Sequence, residues 1–377
     1  MNRREWIKSA ATAAGAAALS TESIAAALPQ IANHEGGGAK VETEIKRLKL
    51  RHTWTTTMAS DDFRDTLQVR LTHEGITGIG EGAPIIRYKE NAVGAQKALQ
   101  SFLAGGRALD PCRFDKIMTE FNRAVPGEHA AKAALDIALM DWVGQKLKVP
   151  LYRYLGLDPA DAPVTTFSIG IDTPEVTKQK TLEAAPYPVL KVKVGLKSDE
   201  ATIEAIRSAT AKPLRVDANE GWTDKEEAVR KINWLEKKGV EFMEQPMPAA
   251  TPLEDIRWIR ERVNMPIFAD ESCTEAKAIP TLLQVYDGIN VKLDKAGGIM
   301  ESYRWIKMAR ALGKKVMLGC MISSSCTCTA AAHLSPLVDY ADLDGFLLIA
   351  NDPYTGVTVK DGKLILPKGP VLGLTVL

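Results

Sequence analysis

A parallel β/α barrel beneath a smaller α+β unit is the fold class this sequence predicts, and three observations carry the prediction. From Ala162 onward, short β-rich runs alternate with amphipathic helical segments such as "SDEATIEAIRSAT" and "TDKEEAVRKINWLEKKG". The runs close on Ser168, Lys193, Asp217, Glu244, Asp270, Lys292, Gly319 and Asp344, at spacings of 25, 24, 27, 26, 22, 27 and 25 residues. Upstream of Ala162 the texture changes to alternating runs followed by helical spacing. An open doubly wound sheet also alternates strand and helix, but it does not explain polar residues recurring at the carboxyl end of so many strands.

Taken in order, the chain opens on "MNRREWIKSAATAAGAAALSTESIAAALPQ", with paired arginines Arg3 and Arg4, an Ala-rich stretch and small residues at Ala25 to Ala27. Basic, weakly apolar and small-residue regions in that order resemble a twin-arginine export signal, residues 1–27, and predict a periplasmic or otherwise exported protein. Its apolar core, Ala10 to Leu19, is far short of the roughly 20 residues that span a bilayer, so the mature form is expected to carry no membrane segment. A linker, 28–40, includes the flexible "NHEGGGAK".

Residues 41–160 read as the α+β unit. "VETEIKRLKLR" and "DTLQVRLTHEG" alternate as antiparallel strands do, and "NAVGAQKALQSFL", "CRFDKIMTEFNRA" and "HAAKAALDIALMDWVGQKL" carry helical spacing. The barrel occupies 161–348. The tail, 349–377, returns to strand and turn chemistry without a barrel helix, which predicts that it folds back on the N-terminal unit.

With 48 basic and 47 acidic residues the formal charge is +1, and the electrostatic footprint of a nucleic-acid binder is missing. A small molecule is the expected partner. The five cysteines lack metal-finger spacing, and Cys326 and Cys328 read as packing residues. His129 and His333 read as structural histidines.

The chemistry begins at "LKVKVGLKSD", where Lys191 and Lys193 share one face of a strand that is otherwise apolar. Burying two cations together needs compensation. Asp217, Glu244 and Asp270 close the next three strands and bring three carboxylates to the same rim, with Lys292 facing them from the strand after. Three carboxylates with water suit a hard divalent cation such as magnesium.

"KVKVG", "RVDANEGW", "MEQP", "ADES" and "INVKLDKAGGI", in this order, resemble the enolase superfamily, in the subgroup of muconate-lactonising enzymes. The similarity runs from about Val41 to the C-terminus and implies a (β/α)7β-type TIM barrel with a capping domain built from the N-terminal region and the tail. It implies one Mg2+ per subunit on Asp217, Glu244 and Asp270, and Lys193 and Lys292 as the acid/base pair on opposite faces of the substrate. Lys191 is similar to the family lysine beside the substrate carboxylate, and Asn219 and Lys295 are supporting residues. The shared chemistry is proton abstraction next to a carboxylate through an enediolate, for which sites with a Lys or His base and magnesium are known. Homo-oligomers are common in similar families, and one is expected here.

"YADLDGF" selects within the subgroup. Asp342 and Asp344, read as one strand face, resemble the pair with which dipeptide epimerases hold the substrate's ammonium group, and a cationic amine needs such acceptors. The expected reaction is therefore 1,1-proton transfer at the α-carbon of a dipeptide's C-terminal residue. The alternatives are a cycloisomerase, an o-succinylbenzoate synthase or an N-succinylamino acid racemase, and, outside enzymes, a periplasmic binding protein. The loop Thr53 to Asp62 contains no arginine, Arg51 and Arg64 only flank it, and "GCMISSSCT" is Ser-rich, which disfavours Ala-Glu as the substrate. Trp54 in that loop reads equally as a substrate contact or as packing.

Overall fold

The computed structural model describes residues 37–104 and 107–377. The expected export signal, 1–27, and most of the 28–40 linker lie outside the described residues. No helix among the described residues is long and apolar enough to cross a membrane.

Three antiparallel strands open the chain: β1 (Lys40–Thr55), β2 (Ser60–His73) and β3 (Ile76–Gly82), paired in that order. Helices α1 (Ala92–Leu103), α2 (Phe114–Ala124) and α3 (His129–Leu147) cover them. The sequence explains how closely α3 approaches. In "ITGIGEG" the glycines at 78, 80 and 82 share one face, and a Cβ built on them would lie 2.1, 2.0 and 1.9 Å from the carbonyls of Ala138, Ala134 and Ala130. Glycine on the strand and alanine on the helix thus allow a backbone contact that larger residues would forbid. The helix is buried on nearly every side, from Ala130 to Gly144, because the barrel packs against its other face.

The barrel strands are β4 (Phe167–Ile169), β5 (Leu190–Lys193), β6 (Leu214–Asp217), β7 (Val240–Glu244), β8 (Ile267–Ala269), β9 (Gly288–Lys292), β10 (Lys315–Gly319) and β11 (Tyr340–Asp342), all parallel and adjacent in sequence order. A parallel bridge between Thr165 and Ala341 closes the ring. Helices α4 (Pro174–Glu183), α5 (Asp199–Ala209), α6 (Lys225–Lys237), α7 (Leu253–Arg260), α8 (Ile279–Leu282), α9 (Ile299–Ala311) and α10 (Ser325–Ala332) follow the first seven strands. After β11 there is only a 3-10 turn, Gly345–Leu348, which makes the (β/α)7β pattern. The tail then pairs with the cap: Ala350 N donates to Lys49 O at 2.8 Å, Val371 N to Val149 O at 2.8 Å, and the Tyr354 hydroxyl to Gln68 at 2.7 Å.

Buried carboxylates dock cap onto barrel by capping helix starts. Glu81 of β3, fully buried, accepts from Ser324 Oγ at 2.6 Å and Thr327 Oγ1 at 3.0 Å at the N-terminus of α10. Asp136 of α3 accepts from Ile299 N at 2.5 Å, at the start of α9. Unsatisfied amides and the positive end of each helix favour an acid there. From the barrel side, Asp294 accepts the Ala83 amide at 2.7 Å. His129 and His333 have structural partners, as expected: the His129 ring lies 2.7 Å from Lys295 O, and the buried His333 accepts from Tyr152 N at 3.3 Å.

Candidate active site

Strand register brings the polar residues level. Lys193 pairs with Asp217 and Asp217 with Glu244 across β5, β6 and β7, while Lys292, Gly319 and Asp342 are level across β9, β10 and β11. One carboxylate oxygen each from Asp217, Glu244 and Asp270 lies within 4.8 Å of the others, and all three residues are buried. Asp270 stands one residue past β8, so the turn rather than the pleat aims it.

Each acid is held by a dedicated partner. Asn219 N donates to Asp217 Oδ1 at 2.9 Å, and Asn290 Nδ2 to Glu244 Oε1 at 2.7 Å. Lys295 donates to Asp270 Oδ1 at 2.5 Å and to the carbonyls of Asp270 and Asn290 at 2.7 Å each. Lys193 Nζ sits 2.6 Å from Asp217 Oδ2 and Lys292 Nζ 2.7 Å from Asp270 Oδ2. Lys191, only 2 % exposed, lies among Asp342 at 2.7 Å, Glu244 at 2.8 Å and Asp217 at 3.4 Å. The opening pair of lysines is thus compensated by acids, as burial of charge demands.

Burial and charge pull these groups apart. Desolvation pushes Glu244 up to about 7, with Asp217 next to it adding repulsion. Burial acts the same way on Asp270, but Lys292 and Lys295 outweigh it and hold that carboxyl well below its ordinary value. Burial strips hydration from Lys191 and Lys292 and pulls them down, and the surrounding carboxylates, Asp342 and Glu244 around Lys191 and Asp270 and Glu244 around Lys292, more than offset this and raise both. A divalent cation on those acids would neutralise part of that charge and relieve the upward pull. The donor set is all oxygen, anionic and convergent, and Glu244 Oε2 accepts no aligned hydrogen bond although Lys191 is beside it. These residues fit a divalent cation of the magnesium type.

Asp342 and Asp344 both reach the cavity above the triad. They do not share a strand face, because β11 ends at Asp342 and Asp344 begins the 3-10 turn with φ −108° and ψ 3°. The turn, not alternation, brings it round. Asp342 takes hydrogen bonds from the Thr166 hydroxyl, from Ser168 Oγ at 3.2 Å and from Lys191. Lys191 holds it down, at about 2, against burial. Asp344 accepts Ser168 N at 2.5 Å, and burial plus the Asp342 charge push it up to about 7. Trp54 lines the cavity and also packs against the small apolar cluster of Leu48, Ile322 and Ile349.

Three residues of the wall, and one beneath it, have roles that the sequence reading does not assign. Glu271, next to Asp270, accepts from Asn219 Nδ2 at 3.0 Å and is pushed up to about 8 by burial and then by Asp270. Its signal was present in "ADES", but alternation pointed it away from Asp270, and alternation ends with β8 at Ala269. Tyr88 brings an unpartnered hydroxyl from a 3-10 turn of the cap, Ile86–Tyr88, for which the sequence carries no signal. Asn290, inside β9, is hidden in the run "INVK". Arg64, set aside as merely flanking its loop, lines the cavity and pairs with Asp61. The loop Thr53 to Asp62 itself contains no arginine, as read from the sequence, and Arg64 beside it reaches the cavity with its charge paired to Asp61. The β1–β2 pairing breaks register between Lys49 and Trp54, which re-aims the side chains around it.

Comparison with known proteins follows the same lines. Residues 40–156 match the mandelate racemase/muconate lactonizing enzyme N-terminal domain, and residues 175–377 the enolase C-terminal domain-like family. The chain is 40% identical over 383 residues to an L-Ala-D/L-Glu epimerase of Bacteroides thetaiotaomicron, covering 99% of each. It is 42% identical over 337 residues to an L-Ala-D/L-amino acid epimerase of Pedosphaera parvula, covering 87% of this chain and 96% of that one. A dipeptide epimerase from Enterococcus faecalis, solved with Mg and the dipeptide L-Leu-L-Tyr, superposes with a TM-score of 0.84 at 34% identity, over 90% of this chain and all of the other.

Proposed function

We propose, from the premise that this chain belongs to the mandelate racemase and muconate-lactonizing family of the enolase superfamily, that it is a magnesium-dependent dipeptide epimerase. The observation that carries the reading is topological. Lys193 ends β5 and Lys292 ends β9, the second and sixth strands of a ring of eight, so they stand across the barrel with the acid triad between them. A carbon held there has one amine on either side. One lysine removes the α-proton and the other delivers a proton to the opposite face, which inverts the centre.

Asp217, Glu244 and Asp270 would hold the metal ion, and a divalent cation so placed supplies electrostatic stabilisation to the paired oxygens of the enediolate. Lys295, Asn290 and Asn219 keep the three acids in place before substrate arrives. Asp342 and Asp344 receive the dipeptide's ammonium group, with Thr166 and Ser168 fixing their orientation. Ile85, Met58, Trp54 and Leu348 line the cavity mouth with apolar surface, which lowers the local polarity around the exchanging proton. Arg64 lines the same wall with its guanidinium paired to Asp61, so it offers the epimerised residue's side chain a polar surface whose charge is already balanced.

The test is incubation of the protein with Mg2+ and a dipeptide library in heavy water, read by mass. Gain of one deuteron by a set of dipeptides is the expected result. Exchange of N-succinyl amino acids with no dipeptide exchange would transfer the assignment to the racemase alternative. Binding without exchange, unaffected when Lys193 or Lys292 is replaced by Ala, would make it a binding protein.

A further inference from the structure

Two separate loops of the cap grip the barrel at one spot, immediately after the first acid of the triad. Thr57, in the turn between β1 and β2, donates its hydroxyl to Asn219 O at 2.7 Å. Arg87, in the turn after β3, forms a two-pronged ion pair with Glu220, Nε to Oε2 at 2.5 Å and Nη2 to Oε1 at 3.0 Å. The gripped residues are consecutive and both left-handed, with φ of 41° at Asn219 and 66° at Glu220. Residues with a Cβ hold that conformation only where the surroundings impose it.

The same two residues set the acids. Asn219 N donates to Asp217 Oδ1 at 2.9 Å, which leaves Oδ2 to face the lysines. Glu220 N donates to Gln245 O at 3.0 Å, and Gln245, directly after Glu244, is itself left-handed at φ 35°. Glu220 Oε1 also accepts Ala249 N at 2.7 Å in the loop after β7. Close approach of the cap needs Gly195, where φ is 111° and a Cβ would lie 2.6 Å from Thr57 Cγ2.

We propose that Thr57 and Arg87 are positioning residues for the metal centre: the cap loops, by holding Asn219 and Glu220, keep Asp217 and Glu244 in ligating geometry. The inference goes beyond the epimerase reading and rests only on its metal site. Linkage makes the effect reciprocal, so metal binding at the triad tightens the two cap loops by the same free energy.

The experiment uses full-length, metal-stripped protein without substrate and titrates Mg2+ by calorimetry. Thr57→Val and Arg87→Ala should each raise the dissociation constant about three- to tenfold, the range expected for one partly exposed hydrogen-bonded contact. Thr57→Ser, which keeps the hydroxyl, should return it to within about twofold of the parent. Hydrogen exchange of residues 53–60 and 84–89 in the parent should slow when Mg2+ is added, and this protection should shrink in Thr57→Val and Arg87→Ala. Unchanged affinity in Thr57→Val and in folded Arg87→Ala, or loops in the parent indifferent to Mg2+, would overturn the proposal. Dipeptide exchange, run in parallel, separates the two ideas: linkage without exchange sinks the epimerase alone, and exchange without linkage sinks the cap coupling alone.

Discussion

Replacing Asp344 by Asn should turn a dipeptide enzyme into one that binds dipeptides poorly while its lysines and acids stay in place. Asp342 already has a cation, Lys191 at 2.7 Å, whereas Asp344 is held by the neutral donors of Ser168, its amide at 2.5 Å and its hydroxyl, and carries the charge left for an incoming ammonium group. Asn retains that amide bond and removes the charge. A charge-assisted hydrogen bond in a buried site contributes about 1.5–3 kcal/mol, so KM should rise by about 10- to 150-fold. The pH dependence adds a second handle. With the Asp344 carboxyl pushed up to about 7, the charged form needed by an ammonium group fades below that pH. Dipeptide affinity of the parent should therefore fall by up to about tenfold per unit of acidification below 7, a dependence that Asp344→Asn should lose. The assay is deuterium wash-in with a free dipeptide, with its N-acetylated form as a competitive inhibitor. Acetylation removes the ammonium, so the inhibition constant should barely move in Asp344→Asn. An equal loss for both compounds, or no loss for the dipeptide, would refute the assignment.

Two further outcomes test how the fold supports the site. Asp136→Ala should lower stability by about 1–3 kcal/mol, because it orphans the buried Ile299 amide at the start of α9, and Asp136→Asn should recover much of it; urea unfolding reads both. Burial pushes His333 down to about 3, so the folded chain keeps the ring neutral while the unfolded chain protonates it near pH 6.5. This contribution is complete above about pH 6.5 and is lost as pH falls toward 3, at up to about 1.4 kcal/mol per unit. Urea midpoints of the parent should drop between pH 7 and 5 more steeply than those of His333→Gln, and parallel slopes would argue against a neutral, buried ring.

The barrel and its triad were legible because each βα repeat is of similar length, so Lys193, Asp217 and Glu244 fall level across β5, β6 and β7 and Lys292 closes β9 at the same rim. Strand alternation identified the face and the carboxyl ends identified the rim. It failed wherever a strand stops early. Asp344 and Glu271 lie past the ends of β11 and β8, where turns aim the side chains, and Asp270 reached the site for the same reason. Arg64, Tyr88 and Arg87 belong to the cap, and only its docking through Glu81, Asp136 and the glycines of β3 brings them over the barrel mouth. No pattern within those segments records where the other domain sits. Lys191 was recognised as one of a pair, but its three carboxylate partners come from β6, β7 and β11 and are visible only in the folded ring.

The placement of one amine on each side of the substrate carbon is decided by deuterium wash-in with the separated L,L and L,D epimers of one substrate dipeptide. Lys193→Ala should retain wash-in with one epimer, Lys292→Ala with the other, and neither variant should interconvert them. If both variants exchange the same epimer, or if either still epimerises, the two lysines do not face each other across the substrate and the two-sided mechanism is wrong.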